Sequence, residues 1–151
     1  MNMDVIQMII RVLDEEIAST CDMLLTKLIQ DERQYDNSID KDFVANNYFK
    51  NIIKNENNIL LCYEEDNIIK GYIYLKPVNN DSQKGYLIDG LYVDIEYRNN
   101  GIATKLINNA LTTIGNVDFI DINVMANNII AINLYKHFGF NEFRISLRKN
   151  I

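Results

Sequence analysis

Leu87-Ile88-Asp89-Gly90-Leu91-Tyr92-Val93 runs into Asp94-Ile95-Glu96-Tyr97 and then into Arg98-Asn99-Asn100-Gly101-Ile102-Ala103. A strand-like run breaks into a polar loop and reopens as a helix. A tight turn feeding a helix start presents several unpaired backbone N–H groups to one point, with the positive end of the helix dipole behind them. That arrangement suits an anion of pyrophosphate size. Gly101 lets the backbone come close, Ala103 keeps the next turn uncluttered, and Arg98 adds a positive charge at the entrance. Gly90 lies inside an otherwise strong strand, where glycine often marks a bulge.

Downstream, Asn128, Ala131, Leu134 and Tyr135 recur at helical spacing and end on Gly139-Phe140. The two stretches together resemble the GNAT N-acetyltransferase superfamily. Arg98, Gly101 and Ala103 match its Arg/Gln-x-x-Gly-x-Gly/Ala signature for acyl-coenzyme A. Asn128, Ala131, Leu134, Tyr135, Gly139 and Phe140 match its Asn-x-x-Ala-x-x-Leu-Tyr…Gly-Phe signature. The motifs cover roughly the last third of the chain, and the N-terminal half matches only in its pattern of elements.

The resemblance implies an α/β fold with a mostly antiparallel central sheet, a splayed parallel strand pair and helices on both faces. It implies acetyl-CoA as co-substrate and a primary amine as acceptor, joined by direct attack through a tetrahedral intermediate. The pantetheine arm would lie along Leu91, Tyr92 and Val93 in the gap opened by the bulge. The diphosphate would lie on Arg98, Asn99, Asn100, Gly101, Ile102, Ala103 and Thr104. Asn128 would reach the arm, and backbone N–H groups near Leu91 or Tyr92 would hold the oxyanion. Tyr135 resembles the tyrosine that protonates the departing thiolate. A phenol with a pKa of about 10 stays protonated at neutral pH yet can yield its proton.

Each residue also has a plainer reading. Asn128 suits a helix N-cap. Tyr135 could pack its ring on the core, although Leu134 and Phe138 already supply an apolar stripe and leave it off the centre. Arg98 could pair with Asp94 or Glu96. The attacking amine has a pKa of about 10.4 and must lose a proton. Asp89, on the cofactor strand, is the candidate base. Glu32 and Asp36, with Tyr35 beside them, border the expected acceptor pocket and share a face if that segment is helical. Read singly, each could equally be a solvated polar residue. A lone His137 and two distant cysteines form no metal-ligand cluster.

Composition narrows the rest. The 151 residues fit one domain spanning 1–151, and 48% hydrophobic content supports a core without disulfide or metal. Cys21 and Cys62 read as reduced, core-like thiols. A net charge of −6 argues against phosphate-backbone binding to nucleic acid and tilts acceptors toward small cationic amines. No charged-then-apolar leader or membrane-length apolar run is present, so no membrane contact and a cytoplasmic location are expected. A homodimer stays open. The alternative to an enzyme is a non-catalytic acetyl-CoA-binding sensor or scaffold.

Periodicity predicts a strand at 8–12, a helix over 14–30 and a loop over 31–39. A second helix follows over 43–54, with Val44, Tyr48 and Ile52 as its buried stripe. Strands follow at 59–64, 69–75 (ended by Pro77), 86–93, 119–124 and 143–147. Helices follow the anion loop, with Ile102, Leu106, Ile107, Ala110 and Leu111 on one face, and span 129–138.

Overall fold

The computed structural model describes residues 8–151. Five strands form one sheet whose spatial order follows the chain: β1 (Ile9–Arg11), β2 (Ile59–Glu65), β3 (Ile68–Asn79), β4 (Lys84–Val93) and β5 (Phe119–Ile122). β1 to β4 pair antiparallel; β4 and β5 pair parallel. This is the mixed sheet that the sequence implies.

Two-residue alternation sorts the strand side chains onto two faces. Leu60, Cys62, Tyr72, Tyr74 and Tyr92 face α1 (Glu15–Glu32) and α2 (Tyr48–Ile52), packing with Ala18, Cys21, Leu24 and Phe49. Ile59, Leu61, Tyr63, Ile73, Leu75 and Ile88 face α3 (Ile102–Ile114) and α4 (Ile129–His137). Ile102, Leu106, Ile107 and Ala110 cover that second face, as the 3.6-residue period requires. Asp14 caps α1 by accepting from the N–H groups of Glu16 and Ile17.

Ile88 and Tyr92 lie four residues apart on one strand yet pack on opposite faces. A bulge causes the switch. Tyr74 pairs with Gly90, whereas Leu75 pairs with Ile88, so Asp89 is the extra residue. A second irregularity, between β2 and β3, leaves Lys70 unmatched beside Gly71.

Several boundaries differ from the sequence reading. β3 does not stop at Pro77, which pairs with Tyr86, and the strand continues to Asn79. The helix expected over 43–54 is one short α2, opened by left-handed Asn47. Val44 and Tyr48 are exposed, and Phe49 is the buried residue. The true anchor is remote: Asp22, buried in α1, accepts the Phe49 N–H at 3.0 Å. α1 runs past Gln30 to Glu32, and helical turns carry on to Asp36. The closing strand at 143–147 is absent. Left-handed Gly139 and the packing of Phe140 on Tyr135 turn the chain away, and Phe143, Ile145 and Leu147 are 78–91% exposed. An alternating pattern becomes a strand only where a ladder partner lies within reach. No helix among the described residues is long and apolar enough to cross a membrane.

Candidate active site

The parallel pairing of β4 with β5 ends at Ile88 and Ile122. β4 continues for five more residues beside β3 alone, so a gap opens on its other side. Which main-chain groups face that gap follows from alternation. The Asp94 N–H donates to Lys70 O at 2.9 Å, and Tyr92 O lies 2.8 Å from where a Gly71 Cβ would stand. Tyr92 and Asp94 therefore point toward β3, and the groups of Leu91 and Val93 point into the gap. Val93 O is taken by the Arg98 Nε donor at 2.8 Å. The Leu91 N–H and C=O and the Val93 N–H remain open along this edge. Tyr92, expected as an alternative oxyanion donor, has its amide on the wrong side and its ring buried against the α1 side.

A 3₁₀ turn (Ile95–Tyr97) leads from β4 into the loop. Asn99 and Gly101 take left-handed conformations, with φ of 66° and 75°. Gly101 sits at the N-cap of α3 and supplies no side-chain acceptor, and no acidic residue occupies the first turn. The first helical bond runs from the Lys105 N–H to Gly101 O. The N–H groups of Ile102, Ala103 and Thr104 thus point out of the helix with no side-chain cap, a ready anion cradle. Asn100 turns its amide back to the Tyr97 and Arg98 carbonyls and stiffens the loop.

Arg98 does pair with a carboxylate, but with neither of those near it in sequence. Its guanidinium bonds Asp31 at 3.1 Å and lies over the Tyr92 ring. Asp94 is instead paired with Lys27 at 2.7 Å. Arg98 thereby ties the end of α1 to the end of β4, while the loop keeps its amides free. A groove of about 340 Å³, lined by residues including Gln30, Asp31, Tyr92 and Asp94, runs beside this tie. A larger one of about 610 Å³ lies at the other end of β4, among Asn55, Lys76, Lys84 and Tyr86, and its lining carries no carboxylate.

The titratable groups gather near the bulge. Glu32 is half-buried, and desolvation followed by the nearby Asp36 charge raises its pKa. Tyr135 is 9% exposed; burial, followed by the charge of Glu32, pushes its phenol up to about 12. Asp89 is exposed on the bulge. It acts on Tyr48, whose phenol is raised first by burial and then by that carboxylate. Asp36 is engaged by the Ser38 N–H and hydroxyl, which hold its carboxyl below the usual range. Asp36 thus also shapes the turn to Ser38, and its own N–H donates to Glu32 O at 3.0 Å, so the two carboxylates stand one helical turn apart. The half-buried Tyr35 donates its N–H to Glu32 O, so the two do share a helical turn.

Asn128 caps α4 by accepting the Ala131 N–H at 3.2 Å. Tyr135, expected off the centre of the α4 apolar stripe, is the buried residue of that helix, with Phe140 edge-on at 6.0 Å. Its hydroxyl end still lies within electrostatic reach of Glu32 on the far side of the sheet. His137 is exposed. Cys21 and Cys62 are free and buried in one core. Sequence reasoning missed Tyr48 and Tyr72 as neighbours of the bulge; nothing local links them to Asp89 or Gly90.

The family model described as "Acetyltransferase (GNAT) family" matches residues 23–140. A tetramutant protein from Bacillus halodurans superposes with a TM-score of 0.80 at 17% identity, over 96% of this chain and 100% of that one. A possible acetyltransferase from Clostridium difficile 630 gives 0.76 at 18%, over 96% and 98%. An aminoglycoside N-acetyltransferase solved in complex with CoA gives 0.70 at 16%, over 95% and 99%. No curated protein sequence matches.

Proposed function

Because the chain belongs to the GNAT acetyltransferase family, we propose that it transfers an acetyl group from acetyl-CoA to the primary amine of a small cationic acceptor. The observation that carries this reading is the uncapped N-terminus of α3 set at the end of a splayed strand edge. A diphosphate would be held by the amides from Asn99 to Thr104. The extended arm would pair with Leu91 and Val93 as an added strand, and its thioester would come to rest at the Asp89–Gly90 bulge.

At the bulge this chain supplies three things. The Leu91 N–H faces the gap, where it can stabilise negative charge developing on a carbonyl oxygen. Tyr135, with its raised pKa, remains a proton donor across the neutral range and approaches from the α4 side, fitting it to protonate a departing thiolate. Asp89 and Glu32 stand toward the α1 side, where an amine would enter. The raised pKa of Glu32 makes it the better acceptor of a proton near neutrality. Exposed Asp89 suits attraction of the cation or relay of its proton through water. The net charge of −6 favours a cationic acceptor over an anionic one.

Thiol release from acetyl-CoA tests the proposal, with spermidine, kanamycin and an alanyl peptide as acceptors. Amine-dependent release with a matching acetylated product supports it. Tight acetyl-CoA binding with no release on any amine would turn the reading to a sensor or scaffold.

A further inference from the structure

Tyr72, in the middle of β3, is 0% exposed, and its hydroxyl has no hydrogen-bond partner. Buried hydroxyls are nearly always satisfied, because leaving one unpaired costs its full desolvation penalty. The oxygen is sealed from solvent in the free protein, so a ligand reaches it only when the packing over Gly90 opens. The ring leans diagonally across the sheet toward β4, and the hydroxyl lies 2.9 Å from where a side chain at Gly90 would begin. Gly90 is the residue beside the bulge, at the point where β4 has parted from β5. The missing side chain is therefore the space into which the phenol reaches. Phe49, edge-on at 5.2 Å, fixes the ring from the α2 side. The charged and titratable groups around the hydroxyl are Glu32, Asp89, Tyr48 and Cys21.

We propose that the Tyr72 hydroxyl is a substrate-binding group, accepting a hydrogen bond from the acceptor nitrogen as it stands over the bulge. This rests on the acetyl-transfer reading and deepens it by naming what positions the nucleophile. An N–H held by Tyr72 at Gly90 sits on the α1 side of β4, with Glu32 and Asp89 beside it to take up the proton. A phenol accepts and donates at once, so it satisfies its own buried oxygen only when the acceptor is present. The orphaned hydroxyl is thus stability given up in the free protein for a contact made in the complex.

Tyr72→Phe separates this role from a structural one. A hydroxyl that braced the fold would lower Tm when removed; an unpaired one leaves Tm unchanged or higher. Its loss should weaken amine-dependent kcat/KM by about three- to ten-fold, the worth of one neutral hydrogen bond, while the acetyl-CoA Kd stays as in the parent. Gly90→Ala supplies a second reading: its methyl meets the hydroxyl, so its Tm penalty should shrink in the Tyr72→Phe background. Equal turnover by Tyr72→Phe, on whichever of spermidine, kanamycin or alanyl peptide the parent acetylates, overturns the assignment and leaves acetyl transfer standing. A fall in Tm on removing the hydroxyl also overturns it. A parent that binds acetyl-CoA yet acetylates none of the three removes both readings together.

Discussion

Gly101→Ala isolates the loop from the rest of the molecule. Gly101 has φ +75°, and a Cβ built there meets no atom within 4 Å. The substitution therefore creates no clash, and its cost in stability is that of a left-handed L-residue, about 1–2 kcal/mol. For a domain of this size that lowers Tm by about 2–8 °C. The methyl group also stands at the N-cap of α3, beside the free amides of Ile102 and Ala103. If the diphosphate lies on those amides, the methyl intrudes on it and affinity for acetyl-CoA should fall at least about ten-fold, equivalent to 1.4 kcal/mol. Gly115→Ala is the control. It has φ +67° and equally open surroundings at the other end of the same helix. It should lose comparable or greater stability and leave donor binding unchanged. Scanning calorimetry gives the first quantity and titration calorimetry the second. Equal donor affinity in Gly101→Ala and the parent would refute the reasoning, because it would show that nothing occupies the space in front of the loop.

Other expectations concern the core and the chemistry. Tyr135→Phe should slow turnover at least several-fold with donor binding largely kept, and an unchanged steady-state rate would remove Tyr135 from the mechanism. Phe49→Ala empties the contact between Tyr72, Tyr74 and α2, and denaturant unfolding should show a loss of about 3–5 kcal/mol. High pH should destabilise the fold. Burial, ahead of the Glu64 charge, raises the Cys62 thiol from 9.0 to about 12; burial, ahead of the charges of Cys62 and Asp22, raises that of Cys21 further. Above about pH 9 the unfolded chain therefore releases protons that the folded chain retains, and stability falls by about 1.4 kcal/mol per pH unit for each such group. Tm should be flat from neutrality to that point and decline beyond it; a flat Tm through pH 10.5 would contradict the burial of both thiols. The same burial predicts that neither cysteine reacts with an aromatic disulfide reagent until the protein unfolds, which absorbance at the released thiolate would show.

Much of the fold is written in local pattern. The α3 face and the span of β2 follow from hydrophobic period alone, because each of these elements buries one face against the sheet. Gly90 marked the bulge, and Gly101 marked the left-handed, uncapped start of α3, since only special backbone geometry favours glycine there. What failed depends on distant partners. α2 is short because a buried carboxylate from α1 holds the Phe49 N–H, and no window around residue 49 contains that information. Pro77 lies within β3 because its partner Tyr86 tolerates it near the end of a long ladder. The pairing of Arg98 with Asp31 spans 67 residues. Tyr72 was invisible for the same reason: in sequence it is one more strand tyrosine, and only the diagonal approach to Gly90 sets it apart.

The account stands on backbone amides at the start of α3 gripping a diphosphate. Titration calorimetry with acetyl-CoA, run beside S-acetylpantetheine, which has the thioester arm but no diphosphate, measures that grip directly. The account predicts saturable binding of acetyl-CoA at micromolar Kd, about −8 kcal/mol, and binding of the truncated donor at least about a hundred-fold weaker. Equal affinities for the two donors, or no heat from acetyl-CoA at millimolar concentration with folded protein, would contradict it.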